Sequence, residues 1–320
     1  MKRFLGCALL LVLVACGGSG STPTPTPTPN PTPTPTPTKT VNDIVLTATQ
    51  LSVPLSTYDI GNYPVLSVLV GNSIYFGSWS NTAKAQFFVR YDISSNTFSS
   101  PLAKSDNVCG CGYSSKLVSD GANIFYIAND ATKYTASSNT WTKINYPSTA
   151  QDNNGEAGVT YKDGNIYFVG GRTASNLFKY YSISQNQWFT APNYLYATTS
   201  SEMAAYKDRI YVLGGKNAEK KMAYFSTTSN IWMGLGDLPF TLSYSYQNTY
   251  TAVLGDTLYV LQNDKVYLYD LVKDVWATDP ATISGLPGYA NLFSDGQNLY
   301  IAGKNTSNIP AVFKVVVSYK

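Results

Sequence analysis

One unit is written six times along this chain, and it limits the fold more than any other feature. A tight polar turn leads into an aliphatic–aromatic strand: Ile74-Tyr75-Phe76, Ile124-Phe125-Tyr126, Ile166-Tyr167-Phe168, Ile210-Tyr211-Val212, Leu258-Tyr259-Val260 and Leu299-Tyr300-Ile301. Successive anchors lie 41 to 50 residues apart. A period of about 40–50 residues assembled from short strands is the signature of a β-propeller. The expected fold class is therefore all-β, with six blades.

Residues 157–192 show one unit in full. Ala157 to Tyr161 is a first strand of small residues, suited to a crowded axis. Lys162-Asp163-Gly164-Asn165 is a hairpin turn, with Gly and Asn where positive φ is needed. Ile166 to Val169 is a second strand ending at Gly170-Gly171, and Phe178 to Ile183 a third. Ser184-Gln185-Asn186 then turns into Trp188, which opens an outer fourth strand. Strand, Gly-Gly, loop, Tyr-containing strand, turn and Trp together resemble the kelch repeat. The fourth unit matches equally well, through Gly214-Gly215, Tyr224 and Trp232. The others depart at the glycines: Gly77-Ser78, Ala128-Asn129, Gln262-Asn263 and Ala302-Gly303. Kelch propellers include scaffolds, binding domains and enzymes, so the resemblance implies a fold and not a function.

The sixth unit stops after its third strand, which runs from Val312 to Tyr319. Residues 47–54 align with residues 140–147, the outer strand of the second unit. Residues 44–53 are therefore expected to supply the missing outer strand, closing the ring and covering the seam between its ends.

The N-terminus reads as processing and tethering signals. Lys2 and Arg3 precede a short apolar run, Phe4 to Val14, too short to span a bilayer. The run ends in Leu13-Val14-Ala15-Cys16, which resembles the bacterial lipobox. That resemblance implies a signal peptide over 1–15, a lipidated Cys16 inserted in the bilayer, and a cell-envelope location. By resemblance to enterobacterial lipoprotein sorting, Gly17 after the cysteine implies the outer membrane. Residues 16–40 then form a stalk, Gly/Ser-rich at first and Thr-Pro alternating from Thr22 to Thr38. Proline lacks an N–H donor, so this stretch is expected in extended polyproline II form, roughly 50 Å long. The propeller is expected over 41–320.

Composition narrows the chemistry. Charged residues make up 13% of the chain, so Ser, Thr, Asn, Gln and Tyr must dominate its surface. The net charge of +3 falls to +1 once Lys2 and Arg3 are removed. The propeller has no basic run, which argues against nucleic acid. Histidine is absent, removing the commonest general base and metal ligand. No metal and no cofactor is expected, and the propeller is expected to act as a monomer. Beyond Cys7 and Cys16, only Cys109 and Cys111 remain, in Cys109-Gly110-Cys111. In an oxidising compartment they could close a small disulfide ring, read as a loop staple rather than a redox centre.

Strand alternation puts the short turns on one face and the long loops on the other. The long loops include 77–85, 170–176, 214–221 and 302–310 after second strands, and the inter-blade connections. Long loops on a rigid ring are where binding is usually built. Trp79 lies in the first of them, outside the repeated aromatic position; Tyr194 and Tyr244 fall in inter-blade loops. Arg172 and Lys216 follow the two Gly-Gly pairs, and Glu156 and Glu202 stand at the starts of the corresponding first strands. These seven residues form the candidate binding face. Two readings follow. One is a lipid-anchored propeller that binds an envelope protein or glycan. The other is a carbohydrate-active enzyme resembling kelch-type sialic acid mutarotases, using Glu156, Glu202 and Arg172. Convergence of those three in one deep pocket would favour the enzyme. Solvated surface ion pairs are the plainer account of the charges, and packing is the plainer account of most aromatics.

Overall fold

Six small antiparallel sheets form a β-propeller in the computed structural model. The structure describes residues 39–51, 65–80, 84–104, 115–128, 131–145, 155–242, 250–286, 288–305 and 307–320. Blade three is representative: Gly158–Lys162, Asn165–Val169, Phe178–Ser182 and Gln187–Thr190 pair in sequence order. The inner strands of the six blades are Leu66–Val70, Lys116–Ser119, Gly158–Lys162, Glu202–Tyr206, Thr251–Leu254 and Gly288–Ser294. Each packs against the next, and the last against the first, so the ring is closed.

The repeated anchors account for the packing. Tyr75, Tyr126, Tyr167, Tyr211, Tyr259 and Tyr300 are all buried. Six apolar clusters fill the described interior, each drawn from two neighbouring blades. The tryptophans belong to the same seams. Trp232 of blade four packs its ring 4.8 Å from Phe178 of blade three. Burial of such side chains contributes about 1.5–3 kcal/mol each and is the main force holding one blade to the next.

A polar latch accompanies the apolar seams of blades two, three and four. Where the third strand turns into the fourth, Asn96, Asn139, Asn186 and Asn230 have φ of 51 to 58°, a region that Asn tolerates better than most residues. The hydroxyls of Tyr134 and Tyr181 donate to the side-chain oxygens of Asn139 and Asn186, at 2.9 and 2.6 Å. The indole N–H of Trp141, Trp188 and Trp232 donates to Ala103, Asn145 and Pro192 of the preceding connection, at 2.9, 2.7 and 2.8 Å. Blade is thus tied to blade by the residue that also fills the apolar seam.

The N-terminal strand takes the expected position. Ile44–Gln50 pairs antiparallel with Pro310–Tyr319 as the outer strand of blade six, in the register Ile44↔Tyr319 to Gln50↔Phe313. Residues 52 and 53 lie outside the described residues. Thr40 caps the short 3-10 turn Val41–Asp43, and the Asn42 side chain accepts from Thr278 N–H at 2.8 Å, fixing the segment to blade five.

Two expected loops are partly strand. Ser73–Ser80 pairs with Ala85–Asp92 through Trp79↔Gln86 and Ser80↔Ala85, so most of 77–85 is an extension of blade one. Leu299–Lys304 pairs with the strand beginning at Pro310, so 302–310 is also shorter as a loop than expected. The reason lies in the glycines. Gly170 and Gly171 have φ of 69 and 156°, and Gly214 and Gly215 of 56 and 90°, and these values end the strand. Gly77 stays in extended backbone, and the strand runs on through Ser78.

Candidate functional site

The deepest charged group in the described ring is Glu202. It opens the inner strand of blade four and is 2% exposed. Lys116 opens the inner strand of blade two, is 6% exposed, and donates to Glu202 Oε1 at 3.0 Å. The second oxygen, Oε2, accepts from Tyr250 N–H at 2.9 Å and from the Thr251 hydroxyl at 3.3 Å. Register explains the meeting. Lys116, Gly158 and Glu202 each pair with the fourth residue of an anchor strand, counting Ile124, Ile166 and Ile210 as first. The pair therefore runs from blade two to blade four past a glycine, at the long-loop end of the inner strands. Burial pushes the Glu202 carboxyl up, and the Lys116 ammonium and the N–H and O–H donors pull against it. Glu202 is a strut among three blades and does not present a free carboxylate at the surface.

Of the remaining charged candidates, Glu156 and Lys216 meet the same backbone segment. Glu156 sits half-buried with φ of 64°, and its carbonyl accepts from Ser200 N–H at 2.6 Å. Lys216 pairs by backbone with Thr199 and is exposed. Segment 198–201 thus joins Glu156, Lys216 and Glu202 at one junction of blades three and four. Thr198 and Ser201 bridge there to the carbonyl of Gly214 at 3.2 and 3.0 Å. Arg172 is exposed. Neither Arg172, Glu156 nor Glu202 lines the axial cavity.

The aromatic candidates divide three ways. Trp79 is half-buried on the blade-one strand extension, where it has partners, and is not a loop residue. Tyr194 is not on the surface: it is 1% exposed, with its ring 4.8 Å from Trp232 and 5.5 Å from Tyr196. The inter-blade segment folds back over the seam between blades three and four, held by Tyr194 N–H donating to Asn176 at 2.8 Å. Tyr244, Cys16, Cys109 and Cys111 lie outside the described residues, as does the signal and stalk segment up to residue 38.

An axial cavity of about 330 Å³ is lined by all six inner strands, among them Val68, Val118, Thr160, Ala204, Val253 and Leu292. It continues into a mouth of about 630 Å³ through the shared residues Leu69, Ser119, Tyr161 and Ser294. The mouth is edged by short turns, with Asn72, Asp120, Asp295 and Gln297 among its residues. The described cavity therefore opens on the short-turn face, opposite the face expected to carry function. Two of its turns share the sequence Ser-Asp-Gly-x-Asn, at 119–123 and 294–298. Asp120 Oδ1 accepts from Ala122 and Asn123 N–H at 2.9 and 2.6 Å; Asp295 Oδ1 accepts from Gln297 and Asn298 N–H at 2.7 and 2.6 Å. Sequence reasoning passed over Lys116, Asp120 and Asp295. The signals for them are a lysine at the repeat position of Glu202 and a duplicated turn motif.

No protein-family model matches the chain, and no curated protein matches it. Among solved structures, the structure of YjhT aligns with a TM-score of 0.62 at 13% identity, covering 82% of this chain and 100% of that one. At that identity the likeness establishes the six-bladed fold alone.

Proposed function

We propose that this protein is a ligand-binding or scaffold propeller of the bacterial cell envelope, tethered through a lipidated Cys16 and its Thr-Pro stalk, and of the kelch type. The observation that carries the reading is the fate of Glu202. The acid–base reading needs it free beside Glu156 and Arg172, and it is instead consumed by Lys116, Tyr250 and Thr251. What remains is a rigid ring with polar-aromatic faces, a platform suited to recognition. The lipobox-like Leu13-Val14-Ala15-Cys16 and the stalk support the envelope location. The ligand on the long-loop face is an envelope protein or glycan, with Trp79, Arg172 and Lys216 as the contacts offered there.

A binding screen of the full chain against a glycan array and purified envelope proteins tests this. Trp79→Ala or Arg172→Ala should weaken a long-loop-face ligand at least about tenfold, the loss of roughly 1.4 kcal/mol expected of one good contact. Turnover of any bound sugar that disappears in Glu156→Gln would overturn the binding-module reading in favour of the enzyme. Lipidation has its own check: metabolic labelling with a fatty-acid analogue should be lost in Cys16→Ala.

A further inference from the structure

Each of the six inner strands pairs with one strand only, the second strand of its own blade. The other edge faces the axis. A strand edge presents alternating N–H and C=O groups, and buried groups of this kind need partners. The axial cavity is thus walled by backbone donors and acceptors that lie outside any strand ladder, one of them, Met203 O, accepting from the Thr251 hydroxyl at 3.1 Å, and these are interleaved with the aliphatic side chains of Val68, Val118, Val159 and Leu292 and the ring of Tyr161. Tyr161 is pinned in place, its oxygen accepting from Gly164 N–H at 3.1 Å.

The charge at the opening is one-sided. Among the described residues, Asp120 and Asp295 are the only charged ones lining the mouth, and no Lys or Arg lines either the mouth or the cavity. Both carboxylates hold their turns by accepting backbone N–H groups. For Asp295, burial would raise the carboxyl, yet the N–H groups of Asn298 and Gln297 hold it below its ordinary range. Such an opening repels anions.

We infer that the axial cavity, entered from the short-turn face, is a binding site for an uncharged mono- or disaccharide. Every sugar hydroxyl both donates and accepts, which matches a wall where N–H and C=O alternate. The C–H faces of the ring match the aliphatic walls and the Tyr161 ring. The cavity volume lies within the roughly 300–1,000 Å³ of small-molecule sites. An extended peptide could pair with a single strand edge, but the six edges converge on one axis and favour a compact, many-sided polar ligand. Carboxylated sugars are turned away by Asp120 and Asp295. This inference rests on the binding-module reading and gives it a site and a ligand class.

Calorimetric titration of the full chain with glucose, galactose, N-acetylglucosamine and their disaccharides tests it, with N-acetylneuraminate and glucuronate as acidic members. At least one neutral sugar should bind, and the acidic ones should bind at least about tenfold more weakly. Thr160→Trp fills the cavity and should abolish neutral-sugar binding. If that variant does not fold, Asp120→Asn with Asp295→Asn serves instead. Asparagine keeps the turn acceptor and removes the charge, so neutral-sugar binding should stay within about threefold while discrimination against the acidic sugars falls roughly tenfold. Neutral-sugar binding unchanged in a folded Thr160→Trp variant, or discrimination unchanged in the asparagine pair, overturns the axial site while the binding-module reading stands. No binding by any neutral sugar overturns the inference as well. If glycan-array and envelope-protein screens are also blank, the broader reading falls with it.

Discussion

At the residue scale, the Lys116–Glu202 pair shows what the ring demands of a charge brought inside it. Removing one partner leaves the other buried without compensation, so Lys116→Met and Glu202→Leu should each destabilise the protein by about 3–5 kcal/mol. Replacing both, as Lys116→Met with Glu202→Leu, should recover most of that loss in a denaturant titration. Additive losses in the double variant would show that the two side chains do not act as a pair. Titration gives a second handle. Burial raises the Glu202 carboxyl above its ordinary value of 4.5 in the folded state. The folded state therefore binds this proton more tightly than the unfolded chain does. The stability Glu202 adds is fully present below pH 4.5 and is lost as pH rises through the raised folded value. Relative to the double variant, the wild type should lose stability as pH rises from 4.5. A flat difference would contradict the direction of the shift.

Elements were legible in the sequence to the extent that a local signal fixes them. The second strands are local: an aliphatic–aromatic anchor after a tight polar turn reads the same way six times. The outer strand Ile44–Gln50 was legible because it copies its counterpart Thr140–Lys143. The extension of blade one was not, because Gly77-Ser78 looks like Gly170-Gly171 on paper. What separates them is the packing around the glycine. A Cβ on Gly170 would meet Thr198 O at 2.3 Å, and one on Gly215 would meet Thr198 Oγ1 at 2.4 Å. That crowding comes from an inter-blade segment some 17–28 residues away in sequence. Glu202 and Tyr194 were misplaced for a similar reason. One is paired with a lysine 86 residues away, and the other is folded under a connection that reads as surface loop.

The latch between elements also shows a coordinated exception. In blades two and three, the Asn oxygen at the third turn receives a Tyr hydroxyl and a backbone N–H, from Ala103 or Asn145. In blade four the corresponding residues are Phe225, which has no hydroxyl, and Pro192, which has no N–H. Phe225→Tyr should restore one bond to Asn230 and raise stability by about 0.5–1.5 kcal/mol. Trp188→Phe, which removes the 2.7 Å bond to Asn145, should lower it by about 1–2 kcal/mol. Thermal melts of the two variants check both. A destabilised Phe225→Tyr would mean that the seam beside Trp232 has no room for the oxygen.

For the whole molecule, closure of the ring by Ile44–Gln50 is what turns six sheets into one cooperative unit. Deleting residues 39–51 should uncover the Pro310–Tyr319 edge and the apolar cluster of blades five and six, to which Ile44 and Leu46 belong. Linking Thr47→Cys to Val316→Cys, which face each other in the register, should raise the melting temperature under oxidising conditions. A deletion that melts like the wild type would show that the seam is closed by something else.

The central claim is that this ring is a recognition platform whose axis, reached from the short turns, holds a neutral sugar. Hydrogen–deuterium exchange of the full chain, with and without the tightest-binding neutral saccharide, tests it most directly. Protection should appear along the inner strands Leu66–Val70, Gly158–Lys162 and Glu202–Tyr206 and at the short turns near Asp120 and Asp295. Protection confined to the long-loop face, around Trp79 and Arg172, with unchanged exchange along the inner strands, would contradict it.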